Sequence, residues 1–222
     1  MNHEIHTIPE NDLVRLQNLY QYEILDTSPE DDFDTIASLA AALFETDNAH
    51  ISFVDTSHVF YKAHLPGKTE NKIPRKNSLC ALSILKKETT VLYDPPQFSG
   101  EIRFYAAAPI ISTDGFALGT IGVTDTRSHK QVTEQQLKML SMLANIVLEK
   151  LETRLTALKT ERAHQARLRR LAHDLKNPVA SISLYAQLLG SRAMNTEKVF
   201  SMASKIGIST KRIEDNLNDL FV

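Results

Sequence analysis

The stretch Leu171-Ala172-His173-Asp174-Leu175-Lys176-Asn177-Pro178 lies in a long helical pattern. The chain has no glycine between Gly122 and Gly190 to interrupt this pattern. Apolar or small residues recur around it in alternating steps of four and three. They are Leu168, Ala172, Leu175, Val179, Ile182, Ala186 and Leu189. This spacing forms the a/d seam of a helix that packs against other helices. The stretch therefore predicts a helical bundle for this part of the chain.

The polar residues of the stretch fall outside that seam. With Ala172 at heptad position a, His173 and Asn177 occupy positions b and f, one turn apart on the outer face. A neutral imidazole is a nucleophile near pH 7, and Asp174 is placed to accept the proton of its other nitrogen. Asn177 is placed to orient a water molecule or an acceptor, and Pro178 is expected to bend the helix. These residues predict phosphoryl chemistry at His173, and the alternative is a solvated surface histidine.

The eight residues resemble the phospho-acceptor motif of sensor histidine kinases. Residues 166–222 resemble the dimerisation and histidine-phosphotransfer domain of that family, the HisKA type. The resemblance implies a helical hairpin that dimerises into a four-helix bundle and meets the receiver domain of a response regulator. It also implies three roles: His173 accepts the phosphate, Asp174 acts as the base, and Asn177 serves dephosphorylation.

The second helix of the predicted hairpin is expected to begin near Asn195, after a turn over 190–195. Its apolar positions keep the same spacing and are Val199, Met202, Ile206, Ile213, Leu217 and Leu220. A lone hairpin would leave part of both seams exposed to water. We therefore expect a parallel homodimer.

The chain before the bundle shows shorter elements of two kinds. Helical patterns cover 13–25, 30–44 and 76–86, and a long helix begins at Thr133. Alternating or apolar runs predict strands at 49–54, 59–63, 90–93, 103–111 and 116–125. Such an order predicts an α+β domain, an antiparallel sheet with helices on one face.

Spaced blocks of this region resemble the GAF domains found ahead of histidine kinase and diguanylate cyclase modules. The blocks are YEILDTSPE (22–30), ISFVD (51–55), RFYAAAPI (103–110) and LGT (118–120). The resemblance covers residues 11–150 and implies a sensory, dimerising domain. Some members of the family bind cyclic nucleotides, tetrapyrroles or small metabolites, so the ligand of this chain is unknown.

A ligand pocket is expected between the sheet and the segment 60–83. Its candidate lining residues are Phe53, Phe60, Cys80, Ile84, Phe104 and Tyr105. The alternative is a packed aromatic core without a ligand. Cys80 is interpreted as a buried thiol that acts as a small hydrophobe, because no histidine follows it as in typical bilin-binding sequences.

Residues 1–10 are expected to form an N-terminal tail, and 151–165 a coiled-coil signalling helix that joins the two domains. The seam counted back through this helix is polar at Arg154, Glu161 and Gln165. Polar seam residues lower stability and leave alternative packings close in energy. The pattern favours a helix that transmits a signal, and the alternative is a simple spacer.

Composition excludes several other classes. With 42% hydrophobic and 23% charged residues, the chain has the composition of a soluble globular protein. Its apolar stretches are too short to cross a bilayer, so no membrane insertion is expected. The single cysteine fits a reducing compartment and predicts a cytoplasmic location. No metal and no nucleic acid are expected, because His50, His58 and His64 lack partners at ligand spacing and the basic run 167–170 is short.

Phosphoryl transfer from ATP requires nucleotide and metal held against the nucleophile. None of the seven glycines belongs to a phosphate-binding cluster, so no ATP-binding domain is expected in this chain. ATP and magnesium are expected to act only through a separate domain or kinase. Two functions remain open. One is a GAF-containing sensor histidine kinase part that relays phosphate from His173 to a response regulator. The other is a non-catalytic dimeric sensor that regulates a kinase by protein–protein contact.

Overall fold

The computed structural model describes five segments of the 222-residue chain, namely 8–67, 71–95, 102–129, 131–190 and 195–218. The chain divides into two compact units, Met1–Thr156 and Ala157–Val222. The first contains a β-sheet with helices, and the described part of the second is helical, which gives an α+β architecture. Among the described residues, no helix is both long enough and apolar enough to cross a membrane.

The chain forms a mixed domain followed by two long helices. The helices are α1 (Asp12–Tyr20), α2 (Asp31–Phe44), α3 (Leu79–Ser83), α4 (Glu134–Leu189) and α5 (Thr196–Asn218). The strands are β1 (Asn48–Val54), β2 (His58–Leu65), β3 (Lys72–Pro74), β4 (Thr90–Tyr93), β5 (Phe104–Ile111) and β6 (Ala117–Asp125). These six strands form one antiparallel sheet in the order β3-β2-β1-β6-β5-β4.

The five predicted strands are present, and three elements differ from the sequence prediction. Helix α1 ends earlier than predicted because Glu23 and Asp26 have φ angles of 47° and 60°, which a right-handed helix does not admit. Helix α3 begins later because the Ser78 hydroxyl caps it, accepting a hydrogen bond from the Ala81 amide at 3.1 Å. Strand β3 was not predicted, since three residues are too few to show alternation.

The sheet separates two layers of side chains, because successive residues of a strand point to opposite faces. Ile51, Phe53 and Phe104 join the main core with α2 and α4. Val54 and Tyr105 lie in the smaller clusters that contain α3. The prediction of helices on one face is therefore wrong. Helix α3 packs on the opposite face, where the alternate strand residues are also buried.

The beginning of α4 belongs to the sheet domain. Its buried face consists of Leu140, Ala144, Val147, Leu151 and Leu155. Arg154 donates to the carbonyl oxygens of Tyr22 and Glu23 at 3.0 and 3.2 Å and to the Glu30 carboxylate at 3.3 Å. The Tyr22 hydroxyl in turn donates to Glu152 at 2.7 Å. These hydrogen bonds hold the beginning of α4 against the segment between α1 and α2. Arg154, which the sequence placed in the polar part of the seam, thus bonds to the sheet domain of its own chain.

The second unit is a hairpin in which α4 and α5 share a half-buried face. On α4 this face contains Leu171, Leu175, Pro178, Ile182, Tyr185 and Leu189. On α5 it contains Met202, Ile206, Ser209, Ile213 and Asn216. Leu175, Ile182 and Leu189 of the predicted seam lie on this face, whereas Leu168 and Val179 are exposed at 52% and 53%. The seam therefore has one edge toward α5 and a second edge open to solvent.

Helix α5 begins where the sequence predicted. The Asn195 side-chain oxygen accepts a hydrogen bond from the Lys198 amide at 3.1 Å, which is the geometry of an N-cap. The predicted turn over 190–195 lies mostly outside the described residues.

Candidate functional site

His173 lies on the solvent side of α4, and 72% of its side chain is exposed. Its Nδ1 atom is 3.2 Å from Oδ1 of Asp174, whose side chain is 54% exposed. A proton on Nδ1 directed at this carboxylate fixes the tautomer in which Nε2 carries the free lone pair. Nε2 is then the nitrogen that meets an incoming electrophile. The predicted pairing of His173 with Asp174 is thus present in the geometry.

Pro178 changes the backbone directly beside this pair. A proline has no N–H, so the Asp174 carbonyl, four residues earlier, loses its helical donor. The side-chain amide of Asn216 on α5 donates to this carbonyl oxygen at 3.3 Å. Pro178 itself is buried in the hairpin. Asn216 therefore joins the second helix to the backbone of the candidate base, a link that no local pattern signals because the two residues are far apart in sequence.

Asn177 lies one turn after His173 and is exposed. Its backbone carbonyl accepts a hydrogen bond from the Ser181 hydroxyl at 3.1 Å. Residues four apart on a helix lie on the same face, so the amide of Asn177 lies on the face that carries the imidazole. This placement suits the orientation of a water molecule or an acceptor.

Basic side chains are exposed on α4 on both sides of His173, at Arg169, Arg170 and Lys176. Together they make this part of the helix electropositive. An electropositive surface attracts phosphate groups and acidic partners. Exposed charges are screened by salt and bind weakly when alone. They favour an encounter with an anionic partner without forming a nucleotide site.

The six residues predicted to line a pocket of the sheet domain are all buried, but they do not lie together. Phe53, Phe60 and Phe104 belong to the main core under α2 and α4. Cys80, Ile84 and Tyr105 lie on the opposite face of the sheet, in the clusters with α3. The proposal of a single pocket lined by all six is therefore corrected, because alternation along β1 and β5 sends neighbouring side chains to opposite faces. Ligand binding by this domain stays a prediction.

A buried polar layer lies beneath α3. Cys80 Sγ is 3.4 Å from Nε2 of His50, and the hydroxyls of Ser83 and Tyr105 are 3.0 Å apart. Burial raises the pKa of the Cys80 thiol and of the Tyr105 phenol. Both groups are therefore neutral at physiological pH, and Cys80 is a poor nucleophile. His50 was not among the predicted site residues. Its position in a mostly apolar strand was the sequence feature that indicated a buried polar contact.

No group of three or more metal-ligating side chains occurs in the part of the chain that the structure describes. The chain therefore combines a sheet domain with a helical hairpin that carries an exposed His173–Asp174 pair.

Sequence comparison identifies both domains. The GAF domain profile matches residues 28–148, and the profile of the His Kinase A (phospho-acceptor) domain matches residues 164–221. The chain belongs to the GAF domain family and carries a His Kinase A domain after it, the domain order of sensor histidine kinases. Both domains are typical of two-component signal transduction.

Three known proteins are similar to parts of this chain. Cyclic di-GMP phosphodiesterase PA2567 from Pseudomonas aeruginosa is 30% identical over 156 residues, which cover 65% of this chain and 26% of that protein. The chain thus spans about a quarter of the length of this curated relative. The free methionine-R-sulfoxide reductase from Neisseria meningitidis, solved with its substrate, is 17% identical with a TM-score of 0.49, covering 71% of this chain and 99% of that chain. The GAF-B domain of DevS from Mycobacterium smegmatis is 17% identical with a TM-score of 0.45, covering 62% of this chain and 99% of that chain.

Proposed function

We propose that the chain is the sensory and phospho-acceptor part of a cytoplasmic sensor histidine kinase. In this function His173 accepts the γ-phosphoryl group of ATP and passes it to the receiver domain of a response regulator. The observation that carries the proposal is the exposed His173 ring with Nδ1 facing the Asp174 carboxylate, inside the matched phospho-acceptor domain. The nucleotide would be held by a separate domain or kinase.

The proposed reaction needs little of the chain beyond this pair. The Nε2 lone pair of His173 attacks the γ-phosphorus while the bond from that phosphorus to the bridging oxygen breaks, and ADP leaves with the electron pair. Asp174 stabilises the positive charge on the ring and takes the Nδ1 proton as the phosphoramidate forms. Asn177 orients the water or carboxylate that later removes the phosphoryl group.

We also propose that the working form is a homodimer. The hairpin exposes large apolar side chains, with exposed fractions of 53% at Leu184, 76% at Phe200 and 58% at Ile208. A second copy of the hairpin would cover these side chains and supply the other two helices of a four-helix bundle. Light scattering is expected to show a dimer at micromolar concentration, and a monomer there would contradict this part of the proposal.

The acceptor assignment is tested with the full chain, labelled ATP and a panel of ATP-binding domains from histidine kinases. Label is expected on the wild type and to be lost in His173→Gln. His164→Gln is the matched control, because His164 is an exposed histidine on the same helix, and it should keep the label. Equal labelling of His173→Gln would place the acceptor elsewhere. An unlabelled chain that still inhibits the partner kinase would favour the alternative of a non-catalytic sensor.

The role of Asp174 is tested in the same assay. Asp174→Asn keeps the shape of the side chain but removes the charge that faces Nδ1. General acid–base help is worth about 10²–10⁴-fold, so phosphorylation should slow by at least about 100-fold. Asp215→Asn, on the exposed surface of α5, should leave the rate unchanged. A loss below about threefold for Asp174→Asn would contradict its role as the base.

A further inference from the structure

A fully buried lysine lies on strand β2 of the sheet domain. The side chain of Lys62 has 0% of its surface exposed. Its neighbours Tyr61 and Ala63 pair with consecutive residues of β1, so Lys62 is the extra residue of a β-bulge. A bulge redirects the side chain of the strand that carries it. Here the Nζ atom of Lys62 lies 5.3 Å from the centre of the Phe33 ring on α2.

The segment 21–30 between α1 and α2 satisfies this buried ammonium group. Nζ of Lys62 donates to the Thr27 hydroxyl at 2.8 Å, to the Ser28 carbonyl oxygen and to Oε1 of Glu30 at 2.6 Å. These three bonds use the three donors of an ammonium group. A buried charge is costly unless it is paired and hydrogen-bonded. The sheet therefore fixes the position of Glu30, although 42% of that side chain is exposed.

The same carboxylate oxygen also binds α4. Nη1 of Arg154 donates to Oε1 of Glu30 at 3.3 Å, and 30% of the arginine side chain is exposed. The two bonds of Glu30 differ in what their loss costs. Without Glu30, Lys62 would remain as a buried charge without its acid, whereas Arg154 can turn to water. Partly exposed ion pairs contribute little to stability, so the bond to Arg154 breaks more easily than the bond to Lys62.

Arg154 lies where α4 leaves the sheet domain. Leu155 is the last residue of the α4 face that packs in the main core, and the first compact unit ends at Thr156. The side chains of residues 159–170 are all exposed. A helical segment without a buried face gains little stability from packing. The turn that contains Arg154 therefore decides how far along its length α4 stays packed on the sheet domain.

We propose that Lys62, Glu30 and Arg154 form a latch that sets the point at which α4 leaves the sheet domain. In the closed latch, Lys62 fixes Glu30 and Glu30 holds Arg154. In the open latch, Arg154 is solvated, Lys62 keeps its acid, and the last packed turn of α4 separates from segment 21–30. A change in β2 at its bulge is thereby passed to the helix that carries His173. The latch is independent of the phosphoryl chemistry proposed for that residue.

Hydrogen exchange of the full chain tests the latch without any kinase. Lys62→Met keeps a long apolar side chain in the bulge but releases Glu30 to solvent. Exchange at α4 amides 152–156 should become at least about threefold faster, since a partly exposed ion pair contributes up to about fivefold in an equilibrium. Amides 119–123 of β6 should be unchanged. In the Arg154→Met background the latch is already open, so Lys62→Met should change exchange at 152–156 by less than about 1.5-fold.

Lys72→Met is the matched control. Lys72, on the neighbouring strand β3, pairs with Asp26 of the same segment, and both side chains are exposed. Its loss should leave amides 152–156 unchanged.

Glu30→Asp keeps the test decisive if Lys62→Met does not fold. The shorter carboxylate should stay with the buried Lys62 and withdraw from Arg154, which gives the same acceleration at 152–156. Unchanged or slower exchange there in the folded variant, an equal acceleration at 119–123, or the same effect of Lys62→Met in both backgrounds would each overturn the proposal.

Discussion

Asn216 and Pro178 form a pair whose coupling is measurable. Pro178 deprives the Asp174 carbonyl of its helical donor, and the Asn216 side-chain amide supplies a donor at 3.3 Å. We predict that Asn216→Ala destabilises the hairpin of the wild-type chain. In the Pro178→Ala background the restored backbone N–H satisfies the same carbonyl, so the additional change Asn216→Ala should have little effect.

The size of the effect follows from the geometry. A hydrogen bond between neutral groups contributes about 0.5–1.5 kcal/mol net. The 3.3 Å separation and the half-buried position of Asn216 place this bond in the lower part of that range. We therefore expect a loss of about 0.5–1 kcal/mol, which is an increase of about two- to fivefold in the opening equilibrium. The coupling energy of the double-mutant cycle should have the same magnitude.

Hydrogen exchange at the amides of residues 179–186 measures this opening in the hairpin alone. Four proteins complete the cycle: the wild type, the two single variants and the double variant. Pro178→Ala should itself slow exchange, because a proline in a helix interior costs about 3 kcal/mol, and the cycle cancels that contribution. Asn218→Ala, at the exposed end of α5, is the control. If Asn216→Ala has the same effect in both backgrounds within about 0.3 kcal/mol, the bond to the Asp174 carbonyl does not stabilise the hairpin.

Three further predictions concern the sheet domain. Gly119→Ala should cost about 3 kcal/mol or more in urea unfolding, because its Cβ would overlap the Ser52 carbonyl oxygen, whereas Gly67→Ala meets no atom within 4 Å and should be neutral. Burial would raise the pKa of Asp125, but hydrogen bonds from Arg127 and His129 outweigh it and hold that pKa well below its ordinary value. The extra stability of the wild type over Asp125→Asn should therefore be largest above about pH 4 and shrink at lower pH, and a difference that grows on acidification would contradict this assignment. Cys80, at 2% exposure, should react with iodoacetamide only after unfolding, so rapid labelling of the native chain would refute its burial.

The sequence predicted much of the architecture and the contact between His173 and Asp174 at the candidate phospho-acceptor site. Five of the six strands, the α+β fold class and the start of α5 follow from local periodicity and from a capping asparagine at 195. His173 and Asp174 are adjacent in the chain, so their contact needs only a helix. The early end of α1 and the shortness of α3 were not predicted, because positive φ angles at Glu23 and Asp26 and the cap at Ser78 depend on packing around these turns.

The pocket prediction shows where local patterns are insufficient. All six candidate residues are buried, as their apolar character indicated, yet they divide between the two faces of the sheet. Periodicity shows that neighbouring residues of a strand separate, but not which face each helix covers. The position of α3 on the face opposite α2 is a property of the assembled domain.

The sequence by itself determined the domain order, the strand and helix periods and the identity of the phospho-acceptor motif, because each of these depends on residues close together in the chain. The tertiary structure alone decided which distant groups meet. Asn216 reaches the carbonyl that Pro178 leaves free, and Arg75 reaches the Asp12 carboxylate that also binds Arg15. Such contacts join residues separated by tens of positions, and only the packing of helices and sheet brings their polar atoms within hydrogen-bonding distance.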